Sequence, residues 1–440
     1  MPSSKPPPPG KTARAAKAAM QQLRASDLRG AARLATQATA GVARIAEGVH
    51  QSVLSTMGLP GGAEPGRTRG LTGMVYQSIH GVTRLVDAGL QAALLRLEPY
   101  LERRVAATDA APPAEREAVL SALNGVMGDR LAQDANPLAI PMELRQQGRP
   151  IDLAALHASG AVTGKILLLV HGLCMNDLQW QRAGHDHGTH LAQALGYTPV
   201  YVRYNTGQHT SVNARALAEH IEALLAAWPV PVQEFSMLVH SMGGLVVRGA
   251  FHYGAEAGHH WPGQLHRMVF LGTPHHGAPL ERAGHWVDVV LGSTSYSRPF
   301  ARLAQLRSAG ITDLRYGHVL DTDWQGHDRF RRRPDNRTPV PLPAGVECYT
   351  VAATLAKRRS PAAERLVGDG LVPLHSALGE HDDPARCLAF ARSRHCVVFQ
   401  VGHLDLLSDP GVARQLVDWL QVPLAAPRQA VQVRRSENRK

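Results

Sequence analysis

Aromatic residues are scarce in this chain, 5% of 440 residues, and basic residues do not interleave with them. A stacking surface for single-stranded nucleic acid needs that pairing, so no nucleic-acid partner is expected. Cysteines are equally few: Cys174, Cys348, Cys387 and Cys396. None forms a CxxC pair or a metal-finger spacing, so reduced structural thiols are expected, even though Cys387 and Cys396 fall near each other. No run of 18 apolar residues occurs, so nothing should span a bilayer. The opening MPSSKPPPPGKTARAAKAAM has no apolar h-region and does not read as a secretory signal. A cytoplasmic location is expected, with peripheral membrane association as the alternative.

What is present is a chain able to build a large core. Hydrophobic residues make up 44%, and the length allows two or three domains. The net charge of +11 is unevenly spread. Residues 1–150 hold 18 Lys/Arg against 12 Asp/Glu, and residues 425–440 hold 5 against 1. The stretch 151–424 is nearly balanced, 24 against 23. The basic excess therefore belongs to the two ends, where it reads as solvated tails or as attraction to an anionic surface.

Residues 1–12 are Pro-rich and basic and are expected to be disordered, as is the basic stretch 425–440. Between them, 13–136 reads as a helical extension of three helices, about Ala13–Leu59, Met74–Leu101 and Glu115–Asp134. The second carries Val75, Ile79, Val82, Leu85, Val86, Leu90 and Leu94 at helical spacing. That apolar face is expected to pack against protein, with a membrane-lying helix as the alternative. From 137 to 424 the pattern changes. Two short strands around Gly148 precede the apolar runs 164–172, 198–205, 234–241, 267–274, 347–354 and 395–402, and helical patterns separate the earlier ones. Apolar strands alternating with helices imply an α/β fold with a mostly parallel sheet covered on both faces. The interval 275–346 has no core strand and should form a cap over the carboxyl edge.

The run MLVHSMGGLVVRGA, 237–250, places Ser241 between an apolar strand and a helix. A tight turn there lifts the serine clear and leaves the next N–H groups at a helix N-terminus. Such a turn wants small residues two positions either side. Gly243 meets that need; Val239 stands where glycine is usual. A serine needs a base, and VGHLDLLSDP puts His403 directly after the last apolar strand. His395 begins that strand at its other end, and the His240 ring should point away from the serine. The base needs a carboxylate to fix its tautomer. Asp369, between two glycines, is favoured over Asp405, which is too near His403, and over Asp409, which reads as a helix cap before Pro410. Backbone amides of Leu173, after His171-Gly172, and of Met242 are the expected oxyanion donors.

Together LLLVHGL, VHSMGGLV, FLGTPHHGAPL, GDGLVPLHSAL and GHLDLL resemble the α/β-hydrolase superfamily, and more narrowly the bacterial lipase/esterase-like proteins grouped near the GPI inositol-deacylase-like hydrolases. The resemblance covers about 137–422. It implies the α/β-hydrolase fold, Ser241 as nucleophile, Asp369 as acid, His403 as base, and Leu173 and Met242 as oxyanion donors, with TPHHGAP (273–279) shaping the pocket edge. The helical N-terminus is similar to an extension in a bacterial subset of such hydrolases.

The expected function is a serine carboxylic-ester hydrolase, esterase- or lipase-like, acting through an acyl-enzyme on a small-molecule or lipid ester of lipophilic character. Acyl transfer to another alcohol is one alternative; a membrane- or partner-docking protein with a weakly active hydrolase fold is another. No cofactor is expected. The cluster HDHGTH, 185–190, offers His185, Asp186, His187 and His190, but no second cluster completes a metal site, and no metal is expected. The basic run 328–337 reads as a solvated cap surface.

Overall fold

A computed structural model describes residues 24–56, 68, 70–106, 114–278, 307–328, 335–357 and 368–424. The two expected tails, and residues 279–306 and 329–334 of the expected cap, lie outside these. The chain begins with three helices: α1 (Ala25–Thr56), α2 (Gly70–Ala106) and α3 (Ala114–Gln133). Strands β1 (Glu143–Gln146) and β2 (Arg149–Pro150) follow, then helix α4 (Leu153–Ala158). Next come β3 (Lys165–Val170), α5 (His187–Leu195), β4 (Thr198–Arg203), α6 (Thr210–Ala226), β5 (Glu234–His240), α7 (Met242–Glu256) and β6 (Leu265–Leu271). The remainder is α8 (Ala309–Tyr316), β7 (Glu347–Thr354), α9 (Leu374–Ala377), β8 (His395–Phe399) and α10 (Pro410–Leu420).

All eight strands join one sheet in the order β2-β1-β4-β3-β5-β6-β7-β8. Strands β4 to β8, with β3, run parallel; β1 pairs antiparallel with β2 and β4. The central strands are apolar at successive positions and buried at nearly all of them, as expected of strands covered on both faces. α6 packs on α7, and α5 packs on α10. This is the α/β-hydrolase fold.

Local chemistry sets the element ends. Asp186 caps α5 by accepting from Thr189 N, and Gly196 closes it in the left-handed region at φ 75°. Asp409 caps α10, whose first residue is Pro410. Ser308 caps α8, and Gly317 ends it at φ 67°.

The helices ahead of the sheet divide in two. α3 is part of the sheet's own packing. Ala122 and Val126 join the main core, while Leu120, Leu123 and Leu131 form a smaller cluster with Leu138 and Ile140. Its buried polar groups are satisfied across the interface. Asn124 donates to the carbonyls of Leu120 and Leu138 and accepts from Ile140 N. Asn205, just past β4, donates to the Gly128 carbonyl. Glu117, 1% exposed, receives Arg203 of β4 at 2.7 Å and Arg116 at 2.9 Å, with Arg145 of β1 at 3.6 Å. A buried carboxylate is tolerable only with such partners.

α1 and α2 form an antiparallel hairpin tied to α3 by Arg116 on Asp27 at 2.6 Å. Here the sequence expectation fails. The face of α2 turned to α1 is the polar one, while Val75, Ile79, Val82, Leu85, Val86 and Leu90 are exposed. Thr36 donates to Asp87, Gln91 to the Arg29 carbonyl, and His80 pairs with Glu47. These bonds set the rotation of α2. Of the apolar residues expected to bury against protein, Leu94 is half-buried and the other six have no cover among the described residues.

Candidate active site

β5 ends at His240, and the chain turns at Ser241 with φ 56° and ψ −125° before entering α7. A positive φ on a non-glycine residue is costly and persists only where neighbours enforce it. The enforcing contacts are visible. Ser241 N donates to the Leu271 carbonyl at 2.9 Å, tying the turn to the end of β6. Gly243 lies so close to β3 that an added Cβ would sit 2.4 Å from the Val170 carbonyl oxygen and 2.8 Å from that of His171. Val239 causes no conflict: it is a fully buried strand residue paired with Val170 and Phe270. The crowding of this turn falls on its later side. Gly243→Ala is therefore expected to abolish soluble expression or to lower the melting temperature by several degrees, measured by thermal unfolding; unchanged melting would show that the β3 carbonyls can move aside.

Ser241 is 1% exposed, and its Oγ has no hydrogen-bond partner among the described residues. Gly172, after β3, passes beside it; a Cβ there would lie 2.9 Å from Ser241 Cβ and 3.3 Å from Oγ. This brings the turn that carries Leu173, itself 3% exposed, alongside the serine. Met242, fully buried, is the first residue of α7, so its N–H lies at the positive end of that helix.

Asp369 and His403 meet directly. His403 Nδ1 is 2.6 Å from Asp369 Oδ2, and His403 N donates to the Asp369 carbonyl at 3.1 Å. The other carboxylate oxygen accepts from Leu371 N at 2.9 Å and Val372 N at 2.7 Å. The carboxylate is thus clamped by its own loop, which turns on Gly368 at φ 49° and Gly370 at φ 95°. With Nδ1–H donated to a carboxylate, a neutral imidazole carries its lone pair on Nε2. Leu271–Gly272 links this pair to the serine turn. A Cβ on Gly272 would lie 3.2 Å from both Asp369 Oδ2 and His403 Cε1, and Leu271 is the residue that accepts from Ser241 N.

The competing carboxylates are occupied elsewhere. Asp405 pairs with Arg182 at 3.2 Å, and Asp409 caps α10. His395 lies at the start of β8 and contacts the Phe390 carbonyl.

Three supports of this cluster carried no sequence signal beyond lying at or just past the end of an apolar strand. The His240 ring packs against His403 with centroids 4.7 Å apart, and its Nε2 lies 3.1 Å from the His403 carbonyl oxygen. A Cβ on Gly172 would lie 3.2 Å from His240 Nδ1 as well as 3.3 Å from Ser241 Oγ, so the ring stays beside the serine turn while its Nε2 fixes the loop of the other histidine. Tyr204 donates its hydroxyl to the His171 carbonyl at 2.7 Å and stacks on the His171 ring. Thr206 Oγ1 accepts from Cys174 N at 3.0 Å. These last two hold the β3 turn that presents Leu173. Burial pushes His171 down to about 3 and His240 well below its ordinary value, so both rings are neutral at pH 7.

HDHGTH is used within the fold. Asp186 caps α5 and accepts from the Tyr201 hydroxyl at 2.6 Å. His187 lies 2.9 Å from the Leu406 carbonyl and 2.8 Å from His185 Nε2. Among the described residues no group of three or more His, Cys, Asp or Glu is placed to hold a metal ion. Of the basic run 328–337, Arg337 is not simply solvated: it pairs with Asp335 and donates to the His275 and Gly317 carbonyls.

The described part of the cap crosses the carboxyl edge. α8 lies over Met242 and the β4 loop, with Gly310 N donating to the Gly207 carbonyl, and Ser308 donating to the Gly125 carbonyl of α3. Beyond it opens a cavity of about 800 Å³ lined by His209, Asp313, Trp324, Arg337 and His381 among other polar residues. Ser241, Asp369 and His403 are not among its lining residues. It lies between cap residues 312–328 and 335–337 and the segments at His209, His375 and 380–382.

Residues 141–315, less than half of the chain, match a family described as Domain of unknown function (DUF7379). No curated protein matches the chain. Among solved structures, it is similar to the lipase BlEst2 of Bacillus licheniformis in mature form at 16% identity and TM-score 0.38, covering 58% of this chain and 91% of that one. It is similar to the RedJ thioesterase of the prodiginine pathway in Streptomyces coelicolor at 14% identity and TM-score 0.33, covering 62% and 91%. An esterase of Pyrococcus furiosus matches at 12% identity and TM-score 0.34, covering 60% and 84%. Likeness at this level assigns no residue a role.

Proposed function

We propose that the chain is a serine carboxylic-ester hydrolase. Ser241 Oγ attacks the ester carbonyl as His403 Nε2 takes its proton. Asp369 holds the imidazole with Nδ1 protonated and stabilises the imidazolium. The N–H groups of Leu173 and Met242 receive the oxyanion of the tetrahedral intermediate, each worth about 2.7–4 kcal/mol in the transition state. Collapse expels the alcohol, which leaves with the proton from His403. Water, deprotonated by the same imidazole, then releases the acid and frees the serine.

The observation that carries this reading is the 2.6 Å contact of His403 with a clamped Asp369, linked through Leu271 and Gly272 to a serine held at φ 56°. A serine that only capped a helix would have its oxygen on a backbone N–H; this one makes no side-chain cap bond. The apolar neighbours Leu173, Met242, Leu271 and Leu406 support a lipophilic ester as substrate. The resemblance of the sequence segments 167–173, 239–246 and 368–378 to lipase/esterase-like hydrolases near the GPI inositol-deacylase-like group supports this reading. A fluorophosphonate probe tests the proposal. It should label the wild type and not Ser241→Ala; labelling of both, or of neither, overturns it.

A further inference from the structure

We propose that the α1–α2 hairpin lies on an anionic lipid surface, with the outward face of α2 set into the boundary between headgroups and acyl chains. α2 is built the wrong way round for a hairpin that only packs on itself. Its seam with α1 is made of Tyr76, His80, Thr83, Asp87 and Gln91, at intervals of three and four residues, and all are partly sheltered. Its outer face carries Met74 (65% exposed), Val75, Ile79, Val82, Leu85 (74% exposed), Val86 and Leu90. On a helix wheel these occupy one continuous sector, interrupted by the small residues Ser78 and Gly89. From Met74 to Leu90 the stripe runs about 24 Å along the helix. A continuous apolar strip of this length marks a contact surface, and scattered exposed side chains would not form one.

Charge selects the occupant. Residues 1–24 carry Lys5, Lys11, Arg14, Lys17 and Arg24 and no acid, and the sequence between α1 and α2 holds Arg67 and Arg69 against one Glu64. Arg44, Arg84 and Arg96 are exposed on the two helices. A second copy of the chain would bring two such basic sets together, with like charges opposed. Anionic lipid neutralises them while the acyl boundary covers the stripe, the combination by which in-plane helices bind. No described helix is long and apolar enough to cross a membrane, so the hairpin lies flat.

Co-sedimentation of the full chain with phosphatidylglycerol/phosphatidylcholine vesicles, and with phosphatidylcholine vesicles alone, tests this. The wild type should pellet with the anionic vesicles at low salt, less at high salt, and weakly with the neutral ones. Val82→Asp with Leu85→Asp should lower partitioning about tenfold or more; both positions face outward, and circular dichroism checks that the helices remain. Val82→Ser with Leu85→Ser serves if the aspartates unravel the hairpin, with a smaller drop in the same direction. No pelleting of the wild type, or equal pelleting of the variants, overturns the proposal. So does a dimer by light scattering that the substitutions dissolve while vesicle binding is unchanged. Pelleting requires no turnover, so Ser241→Ala should sediment as the wild type does, and failure of the hydrolase reading would leave this one standing.

Discussion

Ser241→Ala is expected to lower kcat/KM on p-nitrophenyl esters by about 10³- to 10⁶-fold, with no loss of thermal stability. The two halves of that expectation have separate causes. Ser241 Oγ bonds to nothing among the described residues, so removing it costs the fold little. All the proposed covalent chemistry passes through it. Asp369→Asn makes a sharper companion. Its Oδ1 can still accept from Leu371 N and Val372 N, so the loop keeps its shape. The amide NH₂ then faces His403 Nδ1 where a carboxylate oxygen stood, and the imidazole must turn its proton to Nε2. A base with its lone pair on the wrong nitrogen should cost about 10⁴ in kcat. Equal losses in a kinetic assay for Asp369→Asn and for Asp405→Asn would show that the carboxylate assignment is wrong.

The second large effect is acid lability. His171, His187, His240 and His275 are each no more than 1% exposed. Burial moves His171 down to about 3 and His187 to about 4, and holds His240 and His275 well below the ordinary value. These groups are neutral when folded and charge readily when unfolded. The stability they allow is fully present above the unfolded value near 6.5 and is lost as pH falls toward the folded values. Each contributes about 1 kcal/mol over the first pH unit below 6.5, so the four together weaken the fold by roughly 4 kcal/mol by pH 5.5. Chemical denaturation at pH 7 and pH 5.5 measures this. A flat profile would mean that the rings find proton-accepting partners in the folded chain.

Much of the sheet, the Ser241 turn and the Asp369–His403 contact were legible in the sequence because they rest on short-range rules. Apolar runs of six to eight residues mark buried strands, and the residue after each run lies at the carboxyl edge. That rule alone puts Ser241, the His171-Gly172 turn and the His403 loop on one side. Asp369 was readable because two glycines flank it, and both adopt positive φ. Three features were not legible. The packing of α3 was hidden because its buried face mixes Glu117, Ser121 and Asn124 with alanine, and only partners from β1, β4 and the 138–140 segment make those residues fit. The His240 ring against His403 is a contact between residues 163 apart, beyond any local pattern. What α2 turns toward α1 was not legible because helical periodicity identifies an apolar face and says nothing of what lies against it. The polar bonds from Thr36, Arg29 and Glu47 decide that question.

The place of α3 has a consequence for how the chain comes to be folded. A ribosome delivers this helix before any strand of the sheet exists, and the surfaces that accept it come later. The bond from Asn205 to Gly128 closes over 77 residues, and that from Arg203 to Glu117 over 86. Until β4 emerges, Glu117 lacks Arg203 and the Gly128 carbonyl lacks Asn205. The apolar sides of Ala122 and Val126 are likewise open to premature association. A newly made chain cut short between α3 and β4 should therefore need a chaperone. For the same reason, a shortened gene that starts at the first strand would yield a sheet whose upper rim is missing one wall.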